Sequence, residues 1–128
     1  MAPTEGWSHE TVFAADPRSP ARARAFVQHH LQAHGLASLL DDIGLVASEL
    51  ATNAMKHAQT PFAVVITCSH GSVMVAVRDA SEGAPVPASA EHHDLGGRGL
   101  AIVEQVSREW GVTTSGETKA VWARFDAG

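Results

Sequence analysis

The sequence predicts an α+β fold: a two-layer α/β sandwich in which a mixed, mostly antiparallel sheet carries helices on one face. Three observations lead there. Two consecutive segments repeat apolar residues at helical spacing. Two β-branched runs follow, FAVVITC and SVMVAVRD. After a long irregular stretch, one more helical segment and a hairpin close the chain.

Residues 1–8 carry Pro3, Gly6 and Ser8 and read as a flexible N-terminus. His9 to Phe13 suits a short edge strand, with Thr11 and Phe13 alternating against Val12. The next segment spans about 20–33 as a helix. Ser19 is its expected N-cap, Pro20 suits the first helical position and Gly35 the far end. Ala23, Phe26, Val27, His30 and Leu31 mark its apolar side. A second helix is expected over about 38–57, capped by Ser38, with Asp41 and Asp42 near its positive end. Its apolar stripe is Leu39, Ile43, Val46, Ala47, Leu50 and Ala54, and Pro61 follows its end.

Strands are expected at about 62–69 and 72–79, joined through His70-Gly71. The stretch ASEGAPVPASAEHHDLGG has no period and is too long for a turn; connections of that kind are commonly lids or linkers. A third helix at about 98–110 carries Leu100, Ala101, Val103 and Val106, and VTTSGETKAVWARF closes the chain as a hairpin. The organisation expected is one domain over 9–128, with a lid at about 80–97.

Bulk properties narrow the function. A chain of 128 residues makes one ordinary domain with a real core. Net charge is −5 and the nine basic residues are scattered, which argues against direct nucleic-acid binding. The longest apolar runs fall well short of the roughly 18–20 residues a membrane helix needs, and the N-terminus does not read as a secretory leader. A cytoplasmic location is expected. The lone Cys68, in an apolar run, reads as a buried thiol.

Three places could carry chemistry. Glu49, Asn53 and His57 are spaced by four on the second helix and share one face. A carboxylate and a carboxamide one turn apart suit a hard cation, and the glutamate suits deprotonation of a hydroxyl. The same triplet is also what the wet side of an amphipathic helix looks like. Asp79 ends a buried strand, where its carboxylate can accept from a purine amino group above an apolar floor, or from its own turn backbone. Gly96-Gly97-Arg98-Gly99-Leu100 opens the third helix. Glycines let a ligand approach the backbone, and a helix start offers unpaired N–H groups to an anion. Arg98 adds a phosphate contact or orders the lid. The bland reading is a glycine-rich start to a helix. His92 and His93 look like a metal pair, yet adjacent residues converge poorly and no third ligand stands at the usual spacing.

Together, L45-V-A-S-E-L-A-T-N-A-M-K-H57, V75-A-V-R-D79 and G96-G-R-G-L100 resemble the ATP-binding domain shared by gyrase B, heat-shock chaperone, histidine kinase and MutL-type ATPases (the GHKL or Bergerat fold). Within it, the chain is most similar to small actinobacterial anti-sigma-factor-like serine/threonine-protein kinases. Ala23 to Val27 and Lys119 to Ala123 add to the likeness, which spans nearly the whole chain. The resemblance implies ATP and Mg2+ as cofactors, Glu49 as general base and Asn53 as the magnesium holder. It implies Asp79 on the adenine amino group, Gly83 in the second glycine position, and Gly97, Arg98, Gly99 and Leu100 around the phosphates. It also implies an anti-anti-sigma (STAS-type) protein as phosphate acceptor, a sigma factor as a further partner, and a homodimer.

One departure stands out. The family's second box reads aspartate, any residue, glycine, any residue, glycine, and here Ser81 occupies the first glycine position. A Cβ there crowds the adenine side or demands another backbone angle, so weaker nucleotide binding is expected. The alternatives are a regulator that binds without transferring phosphate, a detached histidine-kinase-type catalytic domain, and an interaction module without nucleotide.

Overall fold

A computed structural model of the protein describes residues 6–79, 97–116 and 118–127. In chain order these form β1 (Trp7–Phe13), α1 (Ser19–Ala33), a 3-10 turn (Ala37–Leu39), α2 (Leu40–Ala58), β2 (Phe62–Ser69), β3 (Ser72–Asp79), α3 (Gly97–Val106), β4 (Glu109–Ser115) and β5 (Thr118–Asp126). The strands make one sheet in the order β1-β2-β3-β5-β4, and each neighbouring pair is antiparallel. The helices lie on one face: α2 packs on β3, β2 and β5, while α1 and α3 both pack against α2. This is the expected two-layer sandwich. No helix among the described residues is long and apolar enough to cross a membrane.

Alternation along β3 sets which face is covered. Val73, Val75, Val77 and Asp79 are buried under the helices, whereas Met74 and Arg78 point to the open face. Below them α2 contributes Ile43, Val46, Ala47, Leu50, Ala51 and Ala54, and α1 contributes Ala23, Val27 and Leu31, all in one core. Each large aliphatic chain buried there stabilises the fold by about 1.5–3 kcal/mol before entropy is subtracted.

Local chemistry explains the turns. Helix α1 ends in a Schellman motif: Leu36 N–H donates to Leu31 O at 2.8 Å and Gly35 N–H to Gln32 O at 3.2 Å. Gly35 takes the positive φ of 77° that this motif requires. The β2–β3 connection is a two-residue turn with φ of 52° at His70 and 76° at Gly71, the left-handed pair that matches strand twist.

Four boundaries differ from the sequence-based expectation. β1 opens at Trp7, two residues before His9, because Trp7 and Ser8 pair with Cys68 and Thr67 of β2. Ser19 does not cap α1. Asp16 organises that start instead: its Oδ1 accepts the Arg18 backbone N–H at 2.8 Å, and its carboxylate accepts the Arg18 guanidinium at 3.1 Å. The Arg18 side-chain hydrogen bond, followed by the backbone one, lowers the Asp16 carboxyl to about 2. Ser19 is turned inward, donating from Oγ to Ala14 O at 2.7 Å. Ser38 lies inside the 3-10 turn, so α2 begins at Leu40 without a side-chain cap. Finally, α3 stops at Val106, well short of residue 110. Arg108 N–H already donates to Arg124 O across the sheet, and Trp110 belongs to β4 opposite Ala123. The lid expected at about 80–97 falls almost wholly on residues 80–96, outside the described residues.

The α1–α2 contact rests on Gly44. A Cβ added there would sit 2.6 Å from Gln28 Nε2 and 3.3 Å from Arg24 Cγ. Gln28 Nε2 in turn donates to Leu40 O at 3.1 Å. Gly44→Ala gains about 1 kcal/mol of helix propensity and forfeits about the same by displacing Gln28, so its net effect is near zero. Gly44→Leu overfills the seam and is expected to cost about 2–3 kcal/mol in urea unfolding.

Candidate functional site

Helix α2 is the platform. Its buried stripe turns toward the sheet, and Glu49 and Asn53 follow one another by one turn along a shared face. Glu49 is half-buried. Asn53 is only 6% exposed, which is unusual for a carboxamide and places it against the packed interior. Its Nδ2 is buried and makes no hydrogen bond among the described residues. An orphaned amide donor costs about 1–3 kcal/mol, so a native chain that keeps one usually has a ligand or water for it.

Asp79 comes to the same end of the sandwich from the sheet. It is the last residue of β3, 4% exposed, facing the helix layer beyond Val75 and Val77. In register it lies between Phe62 of β2 and Lys119 of β5. Phe62 follows the short link that leaves the C-terminal end of α2, and this connection is what brings Asn53 and Asp79 to one end of the fold. Among the described residues, Ser19, Asn53 and Asp79 are the buried polar side chains. Ser19 donates to Ala14 O in the link between β1 and α1, so its hydroxyl is spent on the fold.

The link adds a residue that the sequence reading missed. Thr60 Oγ1 is buried and makes no hydrogen bond among the described residues. It lies in the link between the C-terminal end of α2 and Phe62, the residue that pairs with Asp79. The signal was a threonine ahead of Pro61, which reads equally well as a helix stop. By contrast, the hydroxyls of Ser48 and Thr52 are occupied by the helix itself, donating to Leu45 O at 2.9 Å and Ser48 O at 2.8 Å. Neither is poised as a nucleophile.

Helix α3 opens at Gly97, inside the glycine-rich segment, and packs against α2. Its first backbone N–H groups therefore belong to Gly97, Arg98 and Gly99. The side chains of Arg98, Leu100 and His57 lie outside the described ones, and Gly83, Ser81 and Gly96 fall wholly outside the described residues. Two shallow cavities among the described residues are elsewhere. One of about 360 Å³ is on the open sheet face around Met74, and one of about 300 Å³ lies beside Arg108. Neither is lined by Glu49, Asn53 or Asp79.

The donor set fits a nucleotide with a hard cation: a carboxamide and a carboxylate on one helix, a buried carboxylate at a strand end, and a glycine-opened helix beside them. The family model described as "Histidine kinase-like ATPase domain" matches residues 13–125. A comparison with curated proteins found no match. Among solved structures, the crystal structure of the RsbU and RsbW domains of a Mycobacterium tuberculosis protein superposes with a TM-score of 0.71 at 18% identity. The alignment covers 94% of this chain and 32% of that one, so the chain spans about a third of its length. At that identity the likeness is one of fold.

Proposed function

Because this chain belongs to the histidine kinase-like ATPase domain family, we propose that it is a cytoplasmic, Mg-ATP-dependent serine/threonine-protein kinase. In this reading it phosphorylates a serine of an anti-anti-sigma partner. The observation that carries it is Asn53: a carboxamide buried on α2, its Nδ2 without a hydrogen bond among the described residues, one turn from Glu49.

Asp79 accepts from the adenine amino group above the floor made by Val75 and Val77. Gly97, Arg98, Gly99 and Leu100, with Gly83 of the lid, surround the phosphates. Asn53 would hold magnesium, which when bound supplies charge neutralisation at the phosphate oxygens. Glu49 takes the proton from the partner's serine hydroxyl as its oxygen attacks the γ-phosphorus. The bond from that phosphorus to the bridging oxygen breaks, and ADP leaves. The phosphorylated partner then loses its hold, and the freed domain captures a sigma factor. A homodimer of this chain is part of the same reading.

Ser81 at the first glycine position of the second box favours one alternative, a regulator that binds ATP and its partner without transferring phosphate. One experiment separates the two. The protein is titrated with Mg-ATP by calorimetry, and radiolabelled phosphate is followed onto partners that co-purify with it. Heat with label on a partner serine supports the kinase; heat without label supports the regulator. No heat at millimolar Mg-ATP removes both.

A further inference from the structure

A second cluster lies away from α2, on the other side of α1. The chain places histidines on β1 and on the last turns of α1, and the fold stacks their rings together. His9 Nε2 and His34 Nε2 are 3.0 Å apart. The His9 ring lies over His30 with centroids 3.7 Å apart at 11°, and Trp7 lies over His34 at 4.0 Å and 4°. His30 and His34 are four residues apart at the end of α1, the spacing that puts two imidazoles on one helix face.

We propose that this seam between β1 and α1 binds a divalent transition-metal cation of the zinc, nickel or copper class, through Nε2 of His9 and Nε2 of His34, with His30 as third imidazole. Two nitrogens at about 2.0–2.1 Å from a tetrahedral ion stand roughly 3.3 Å from each other. The His9–His34 pair is within a few tenths of an ångström of that spacing already. Among the described residues no three donors converge as the side chains stand. Closing the site therefore takes a turn of the His30 ring, with solvent in the remaining position.

The surroundings favour a cation that prefers nitrogen to oxygen. Helix α1 carries no acidic residue, and Glu10 of β1 turns to the opposite face, where it pairs with Arg78 at 2.6 Å. In register, His9 faces Ile66 and Trp7 faces Cys68. Burial, followed by the neighbouring imidazoles, lowers the pKa of His30, and burial followed by His9 lowers that of His34. At neutral pH these rings are uncharged and keep a lone pair for a metal. In the absence of a metal, the short His9–His34 contact is a hydrogen bond between the two rings. An ion replaces that bond once each ring carries its proton on Nδ1. The consequence is a clip across a seam that otherwise depends on ring packing, with Phe13 edge-on to Phe26 beside it.

The test uses tag-free protein at pH 7.5, with Ni2+ and Zn2+ as probes and Mg2+ as control. One ion per chain is expected by calorimetry. At tenfold excess over Kd the Tm rises by about 5 °C, and EDTA reverses the rise. His9→Gln and His34→Gln should each weaken binding at least about tenfold, while a His92→Gln/His93→Gln double variant binds as the parent does. No heat with either ion, or unchanged affinity in both His9→Gln and His34→Gln, overturns the proposal. Should those variants fold poorly, ring-nitrogen NMR of the parent chain decides. Zinc-induced shifts at His9 and His34 support the site; shifts confined to other histidines overturn it.

Discussion

Glu49→Gln is expected to lower phosphotransfer to the partner serine by about 10²–10⁴-fold, the range over which a positioned general base accelerates proton transfer. Affinity for Mg-ATP should stay within about twofold, because the amide keeps the shape of the carboxylate and removes only its basicity. Fold stability should hardly change: Glu49 is half-buried and is not part of the apolar core. Single-turnover phosphotransfer and calorimetry on the same preparation check both halves. A variant that transfers at the parental rate would remove Glu49 from the reaction, and another group would have to take the serine proton.

Asn53→Ala should divide binding from stability in the opposite sense. Loss of the carboxamide is expected to weaken Mg-ATP binding by about 100-fold, the scale of a lost contact to a charged group in a buried site. The ligand-free protein, however, should become about 1 kcal/mol more stable. The variant removes a buried Nδ2 that has no partner among the described residues, and it places the best helix former in the middle of α2. Thermal unfolding with and without Mg-ATP reads both effects: a higher Tm for the apo variant, and a ligand-induced rise that has vanished. A large apo destabilisation would mean that Asn53 is structural, since it would then be supplying hydrogen bonds to the fold rather than waiting for a ligand.

Much of the scaffold could be read before the structure was known, and for identifiable reasons. Ile43, Val46, Ala47, Leu50 and Ala54 repeat at helical spacing, and all five are buried. The β2–β3 hairpin falls at 62–69 and 72–79 as expected, because β-branched runs and a Gly-containing turn are local signals. The end of α3 was not legible. Val106 and Ser107 continue the helical period, and what stops the helix is a bond from Arg108 to β5, which is adjacent only in space. Gly111 shows the same limit. A Cβ there would be 2.7 Å from the Trp122 ring, a requirement set by the register Gly111↔Trp122. At the candidate site, the sequence motifs named Glu49, Asn53 and Asp79. They did not reveal that Asn53, Asp79 and the Thr60 hydroxyl are buried, because burial depends on how α2 lies on β3. The histidine seam was equally hidden: His30 read as one apolar-side position of α1, and His9 as part of an edge strand.

The strand order has a consequence for how the protein comes together. β2 with β3, and β4 with β5, are neighbours in the chain and can zip up early, as loops this short close in microseconds or less. β3 meets β5 only after the chain has travelled through α3 and back, and that late joint is where Asp79 gains Lys119 across from it. The adenine end of the proposed cleft is thus among the last parts to exist. Nucleotide has nothing to grip in a half-assembled chain, so its binding rewards completion of the fold and cannot hasten the earlier steps.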